Sequence, residues 1–144
     1  MTLKQISVFL ENKPGTLQVL TNLLAENNIN MRALSLAETS EFGIVRIIVD
    51  ELEKASAVLK AEEYIYTVTG VLGVAIPDEP GGLNHVLRAL NGGGINIEYM
   101  YAFLGGRDVS HAYMIFHVQD AAAAVAALDE ECISCITQED LDNL

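Results

Sequence analysis

The chain has 144 residues, a length that suits one ordinary domain or two very small ones. Hydrophobic residues make up 51% and charged residues 19% of the chain, a composition that favours a packed core and argues against disorder. The net charge of −12 would repel phosphate backbones and anionic lipid, and no apolar run approaches the ~18 residues that span a bilayer. We therefore expect neither nucleic acid nor membrane as a partner.

The N-terminal segment and the cysteine count indicate the compartment. MTLKQISVFLENK is too polar in its middle for a signal peptide, and the chain has two cysteines. These features predict a cytoplasmic protein.

The first predicted elements are a strand and a helix, joined by the segment LENKPGTL at residues 10–17. Apolar residues recur at every second position over residues 6–10, which predicts a strand. After the Pro-Gly turn, leucines at i, i+3 and i+7 over residues 17–24 predict a helix with one apolar face. Asn27 and the asparagine after it are typical of a helix end.

The remainder of the first half predicts a hairpin, a second helix and a last strand. Turn residues at positions 38–42 separate the two strands of the hairpin. The predicted elements are strands over residues 30–37 and 43–49, a helix over residues 52–61 and a strand over residues 65–69.

The second half of the chain repeats the first. At a shift of 66 positions Pro14 aligns with Pro80 and Asn30 with Asn96, and later in each half the shift becomes 69. The three additional residues of the second copy fall in or beside its hairpin. Its predicted elements are a strand over residues 72–76, a helix over 83–90, strands over 96–103 and 110–118, a helix over 121–128 and a strand over 133–137.

Each half therefore has the order βαββαβ. This order predicts an α+β fold with two tandem ferredoxin-like units, each with a four-stranded antiparallel sheet and two helices on one face. We place the units at residues 1–69 and 70–144. In YTVTGVLGVAIP the last strand of the first unit continues almost directly into the first strand of the second, and the tail, residues 138–144, is predicted to be a solvated end.

The loop pattern x-N/D-x-P-G-x-L, its helix and the following G/N-I-N strand resemble the ACT domain, a regulatory module that binds amino acids. ENKPGTL…NNINM is similar to the serine-sensing segment of 3-phosphoglycerate dehydrogenase, although Leu10 stands where those relatives carry His. PDEPGGL…GGINI resembles segments of aspartokinase and of the acetolactate synthase small subunit. The likeness covers roughly residues 3–137, as two ACT units in tandem.

The resemblance implies two half-sites for an amino-acid ligand. In the family the residue two before the Pro contacts the ligand through its side chain, loop amides after the Pro contribute, and the Asn opening the second strand completes the set. The implied residues of the first copy are Asn12, Pro14, Gly15, Thr16, Leu17, Ile29, Asn30 and Met31, and those of the second are Asp78, Pro80, Gly81, Gly82, Leu83, Ile95, Asn96 and Ile97.

The chemistry of these residue types suits a zwitterion. A helix start offers unpaired N–H groups and a partial positive charge for a carboxylate, and Gly lets the backbone approach the ligand. Asn supplies a donor and an acceptor, whereas an ionised Asp only accepts. Asn12 lies beside Lys13, and Asp78 lies beside Glu79. We therefore expect unequal half-sites, the second holding an ammonium group more firmly or preferring a cationic side chain.

Each of these features also has a purely structural interpretation. Pro-Gly before a helix is common because Pro fixes one φ angle of a turn and Gly takes the positive φ that the turn then needs. Asn30 and Asn96 would equally well satisfy backbone groups where a helix exits into a strand. The interpretation of the loops as binding loops depends on their occurring twice at the same place in the pattern.

The cysteines and histidines carry weaker signals. The segment CISC at residues 132–135 suggests a thiol pair, but it enters a strand and no second cysteine pair exists for zinc. His111 and His117 are ~20 Å apart along one predicted strand, at ~3.3 Å per residue, too far for one metal. His85 lies on a helix. We expect no metal, no cofactor and no catalytic residue.

The sequence therefore predicts a sensor that binds a free amino acid, has no reaction of its own and relays the ligand's level to an amino-acid metabolic enzyme or a regulator. A homodimer is expected because sheet edges are usually paired or covered. The alternative is a structural or protein–protein interaction module of the same fold that binds no ligand. A small enzyme on this fold is a third, weaker hypothesis.

Overall fold

The computed structural model describes residues 2–144, which form two compact units. The N-terminal unit comprises Lys4–Thr69, and the C-terminal unit comprises Gly70–Leu144 together with Thr2 and Leu3. No helix within residues 2–144 is long and apolar enough to cross a membrane.

The elements follow the order βαββαβ in each half, as the sequence predicts. The first six are β1 (Leu3–Glu11), α1 (Thr16–Glu26), β2 (Met31–Glu38), β3 (Phe42–Val49), α2 (Leu52–Ala61) and β4 (Ile65–Pro77). The others are α3 (Gly82–Gly92), β5 (Ile97–Ala102), β6 (His111–Val118), α4 (Ala121–Glu130), β7 (Cys135–Ile136) and α5 (Gln138–Asn143). Strand β4 contains the division between the units, so the last strand of one half and the first of the other are a single element.

All strand pairs within the units are antiparallel, which confirms the predicted fold class. In the N-terminal unit β3 lies between β1 and β2, with Val8 opposite Val45 and Leu34 opposite Ile47. In the C-terminal unit β6 lies between β4 and β5, and β7 pairs with the other side of β4.

The helices of each unit pack on one face of its sheet. The alternating residues of β1 and β3 meet the apolar faces of α1 and α2 in the first core, and β4 and β6 meet α3 and α4 in the second. Fully buried members of the first core are Ile6, Val8, Leu20, Leu24, Val45, Ile47, Ala55 and Leu59. Burial of a Leu or Ile side chain stabilises the fold by ~1.5–3 kcal/mol, so this two-layer contact holds each unit together.

The two hairpins differ in length. In the N-terminal unit the pair Ala37 and Ile44 encloses residues 38–43. In the C-terminal unit the N–H of Phe103 donates to the carbonyl of Tyr113, and that pair encloses residues 104–112. The longer hairpin therefore contains the three additional residues of the second copy.

The tail is mostly exposed, as predicted, but it is helical and has one buried residue. Residues 138–143 form α5, whose start is closed by a capping box: the Asp140 N–H donates to Thr137 Oγ1, and the Thr137 N–H donates to the Asp140 carboxylate. Leu141 is 1% exposed. The sequence analysis did not predict this buried residue, because the residues around it are acidic or polar. The last strand is also shorter than predicted, since the N–H of Ile133 donates to the Leu128 carbonyl at the end of α4 and Thr137 is already the N-cap of α5.

We expect Leu141→Ala to lower the free energy of unfolding by ~2–5 kcal/mol, because it leaves a cavity where a buried leucine packs. Asp142→Ala, on the exposed side of the same helix, is the control and should change it by less than ~0.5 kcal/mol. Urea unfolding of both variants measures the difference. Equal stability of the two variants would mean that α5 does not anchor the tail.

Candidate functional site

The first helix begins directly after a left-handed glycine. Gly15 has φ 89° and is the N-cap of α1, so it has no side chain with which to cap the helix. The Thr16 hydroxyl donates to the carbonyls of Glu11 (2.9 Å) and Lys13 (3.0 Å), which fixes the loop against the end of β1. The helix start consequently presents first-turn N–H groups to an acceptor from outside the helix.

A cavity of about 380 Å³ lies at this helix start. It brings together four of the predicted residues, Asn12, Gly15, Thr16 and Leu17. Its other lining residues are Leu10, Glu11, Lys13, Leu36, Glu38 and Gly43. Leu36 and Glu38 come from β2, and the sequence pattern gave no sign of them because it describes the loop and not the neighbouring hairpin.

Asn12 joins the loop to that hairpin. Its Nδ2 donates to Glu38 Oε2 and to the Thr39 carbonyl, both at 3.1 Å, and its backbone N–H donates to the Glu41 carbonyl at 3.0 Å. The amide oxygen of Asn12 makes no hydrogen bond within residues 2–144, so it remains an acceptor. Asn12 thus shapes the cavity as well as lining it.

The charges at the cavity differ from those expected from sequence. Lys13 Nζ lies 2.8 Å from Glu11 Oε2, and this hydrogen bond lowers the pKa of Glu11 and raises the pKa of Lys13. Lys13 therefore stays charged and forms an exposed ion pair with Glu11 at the rim of the cavity. Glu38 adds a carboxylate to the lining, which favours an ammonium group there.

The corresponding turn of the C-terminal unit is built alike but opens onto a different cavity. Gly81 has φ 87° and is the N-cap of α3. Asp78 lines a cavity of about 330 Å³ under the β5–β6 hairpin, whereas Pro80, Gly81, Gly82 and Leu83 do not line it. Any Cβ at position 82 would overlap the Pro77 carbonyl, so glycine is required where the first copy has Thr16.

The remaining predicted residues do not line these cavities. Within the N-terminal unit Met31 pairs with Val49 at the far end of β3 from Phe42, which pairs with Glu11. The 11 residues of α1 separate that end from the loop by ~16 Å at 1.5 Å per residue. Neither cavity is lined by Pro14, Ile29, Asn30, Met31, Ile95, Asn96 or Ile97.

Asn30 has a structural partner instead. Its backbone N–H donates to Asp50 Oδ1 at 3.0 Å, and its carbonyl accepts from the Asp50 N–H at 3.1 Å. This exchange closes the junction between α1 and β2 through the backbone of Asn30 and leaves the role of its side chain a prediction. Within one unit, the structure does not bring the G/N-I-N segment and the Pro-Gly loop to the same ligand.

The cysteines and histidines have ordinary surroundings. Cys132 is exposed, and burial, followed by the charge of Asp129, raises the pKa of the Cys135 thiol, so that thiol is a poor nucleophile. His117 Nδ1 lies 2.7 Å from Glu98 Oε2, and the ring stacks on Tyr99 with centroids 4.7 Å apart. Residues 2–144 contain no group of three His, Cys, Asp or Glu side chains that would hold a metal.

Asp108 organises the longer hairpin. Its Oδ1 accepts from the Ser110 hydroxyl and from the Ser110 N–H (2.9 Å), and its Oδ2 lies 2.7 Å from His111 Nδ1. These hydrogen bonds, those from Ser110 first, lower the pKa of Asp108 from 3.8 to about 2. The carboxylate is therefore ionised at any physiological pH.

Comparison with known proteins agrees with this architecture. Residues 1–144 match a family model described as an ACT domain pair. The crystal structure of protein BT0572 from Bacteroides thetaiotaomicron is 38% identical and superposes with a TM-score of 0.91, covering 100% of this chain and 98% of that chain.

More distant structures share the fold. The ligand-free regulatory subunit of aspartate kinase from Thermus thermophilus is 19% identical, with a TM-score of 0.66 over 90% of this chain and 93% of that chain. The corresponding subunit from Thermus flavus is 16% identical, with a TM-score of 0.62 over 90% and 92%. No match was found among curated protein sequences.

We expect Gly82→Ala to lower the free energy of unfolding by ~1–3 kcal/mol, because the added Cβ pushes against the backbone of Pro77. Gly92→Ala is the matched control in the same helix, since a Cβ there meets nothing within 4 Å. Denaturant unfolding distinguishes them, and a harmless Gly82→Ala would contradict the close approach.

The lowered pKa of Asp108 predicts how stability depends on pH. Since the folded state holds this pKa below the unfolded value of 3.8, its contribution is present above that pH and is lost as pH falls toward about 2. In Asp108→Asn we expect a smaller loss of unfolding free energy between pH 4 and 2 than in the wild type. An unchanged loss, measured by urea unfolding across this range, would contradict the hydrogen-bonded hairpin.

Proposed function

The chain belongs to the ACT domain pair family, and we propose that it binds a free amino acid at the start of α1 and acts as a regulatory sensor. The observation that carries the proposal is the cavity of about 380 Å³ that Asn12, Gly15, Thr16 and Leu17 share. Its volume lies within the ~300–1,000 Å³ usual for small-molecule sites.

The lining of the cavity contains partners for both ends of an α-amino acid. The uncapped start of α1 offers N–H donors and a partial positive charge to the ligand carboxylate. Glu38 and the Asn12 amide oxygen offer acceptors to the ammonium group. The ligand would therefore lie with its carboxylate toward Gly15 and its ammonium toward β2.

The apolar part of the lining indicates the side chain of the ligand. Leu10, Leu17 and Leu36 contribute aliphatic surface, and the only cation, Lys13, is paired with Glu11. A ligand side chain that buries apolar area there gains ~25 cal/mol per Å². We therefore propose an aliphatic amino acid rather than an acidic one.

A sensor role is favoured over an enzyme by what the lining residues do. The Thr16 hydroxyl donates to two backbone carbonyls, and no histidine or cysteine lines the cavity to activate it as a nucleophile. Regulatory subunits of aspartate kinase have the same fold, which supports regulation of another protein, such as an amino-acid metabolic enzyme, as the output. A homodimer stays a prediction.

Binding is tested by a thermal-shift screen of the twenty amino acids with the wild type, Asn12→Ala and Asn22→Ala. A ligand at 100 times its Kd stabilises the native state by ~2.7 kcal/mol and raises the Tm. We expect an aliphatic amino acid to do so, and Asn12→Ala to weaken its binding by up to about tenfold. Asn22 also donates to a glutamate, Glu26, but lies further along α1, so Asn22→Ala should bind normally.

Two results would contradict the proposal. If no amino acid raises the Tm of the wild type, the chain is better described as an interaction module that binds no small molecule. If Asn12→Ala and Asn22→Ala weaken binding equally, the ligand binds elsewhere.

A further inference from the structure

The last strand of the N-terminal unit has one open edge. The partner strands β6 and β7 lie opposite residues 72–77 and 73–74 of β4, all of which belong to the C-terminal unit. Residues 65–69, the part of β4 in the N-terminal unit, can therefore pair only with β1, which occupies one of their two edges. The other edge, here called the β4 edge, has no partner strand within residues 2–144.

The β4 edge is exposed, partly apolar and uncharged. Ile65 is 72% exposed and Val68 is 45% exposed, and Thr67 between them is exposed as well. Residues 64–77 contain no Asp, Glu, Lys, Arg or His, although the chain carries a net charge of −12. Edge strands usually carry a charged side chain or a proline, because their free N–H and C=O groups otherwise pair with another chain. Residues 65–69 contain neither.

The helix that packs over this strand has a charge distribution that suits a two-fold pair. The Tyr66 hydroxyl donates to the Ser56 carbonyl at 3.2 Å, so α2 lies against β4. Glu53 is in the first turn of α2 and Lys60 is in its last turn, and both are exposed. A two-fold axis perpendicular to the sheet sets two copies of α2 antiparallel. The acidic start of each helix then approaches the basic end of the other, which is electrostatically favourable.

We propose that the β4 edge pairs with the same edge of a second copy of this chain, so that two N-terminal units join in one antiparallel sheet. A two-fold axis at Thr67 sets Ile65 of each copy opposite Thr69 of the other, and Tyr66 opposite Val68. Pairs of an aromatic and a β-branched residue stabilise antiparallel strands, and the symmetry repeats each pair twice.

The absence of charge in the segment is what favours a second copy as the partner. In a symmetric pair, a charge at the axis faces the identical charge, and like charges directly opposite each other destabilise paired strands. A strand without charged residues is free of this penalty even in a chain with a net charge of −12. The proposal goes beyond the proposed function, because residues 65–69 do not line the cavity at the start of α1.

The symmetry provides the test, since a charge placed at Thr67 faces itself in the dimer. Sedimentation velocity over a range of concentrations gives the dissociation constants of the wild type, Thr67→Lys and Thr67→Glu. We expect the wild type to dimerise and each variant alone to dimerise severalfold more weakly. An equimolar mixture of the two variants should regain the affinity of the wild type, because opposite charges then face each other.

Ser40→Lys and Ser40→Glu are the matched controls, since Ser40 is exposed in the turn between β2 and β3. They should dimerise like the wild type, both alone and mixed. Ile65→Asn provides a second variant of the edge without a change of charge, and it should also weaken the dimer. The circular dichroism spectra of all variants should stay native, because the substituted side chains are exposed.

Three results would overturn the proposal. The first is a wild type that stays monomeric at every concentration, which would leave the β4 edge to an extended segment of a different protein. The second is equal dimerisation of the Thr67 and Ser40 variants, and the third is a mixture of the Thr67 variants that associates no better than either alone. All measurements are made without an amino acid, so failure here is distinguishable from failure of the amino-acid site.

Discussion

The reversal of the chain from strand to helix at Gly15 and Gly81 is the constraint on which both units depend. Each glycine has a φ near 90°, a conformation that L side chains rarely adopt, and each is the N-cap of a helix that returns along its sheet. Because the turn is tight, the leucines of α1 fall directly over the apolar face of β1. The same turn leaves the helix start uncapped. The packing of the helix and the cavity at its start therefore have one geometric origin.

The charged and apolar residues that line the two cavities differ. The N-terminal cavity contains an ion pair, one further carboxylate and three leucines, whereas the C-terminal cavity contains two carboxylates and two aromatic rings. Asn12 uses its side chain to join loop and hairpin, whereas Asp78 joins them only through its backbone N–H. Because the Asp78 carboxylate makes no hydrogen bond to the hairpin, both of its oxygens can still accept hydrogen bonds.

Most of the fold was predictable from the sequence because period and repeat are local properties of the chain. The alternation in β1, the leucine spacing in α1 and the register of the two copies all appear in the structure. The burial of Leu141 was not predicted, because a single apolar residue in an acidic segment forms no repeating apolar pattern. At the two cavities, the pattern included Asn12 and Asp78 but not Leu36, Glu38, Phe103 and Tyr113, since cross-strand neighbours depend on hairpin length and register. The backbone of Asn30 pairs with Asp50, a contact that the sequence pattern did not predict.

The three additional residues of the longer hairpin show how the two copies of a duplicated unit can come to differ. An internal duplication begins with two identical copies, and a change in either is tolerated while the other keeps the original task. Surface hairpins accept insertions at little cost in stability, because the entropic cost of closing a loop rises only slowly with its length. Here the longer hairpin begins at an aromatic cross-strand pair, Phe103 and Tyr113, where the shorter one has Ala37 and Ile44. A chain made from two copies of the first half would keep the architecture and lose that chemical distinction.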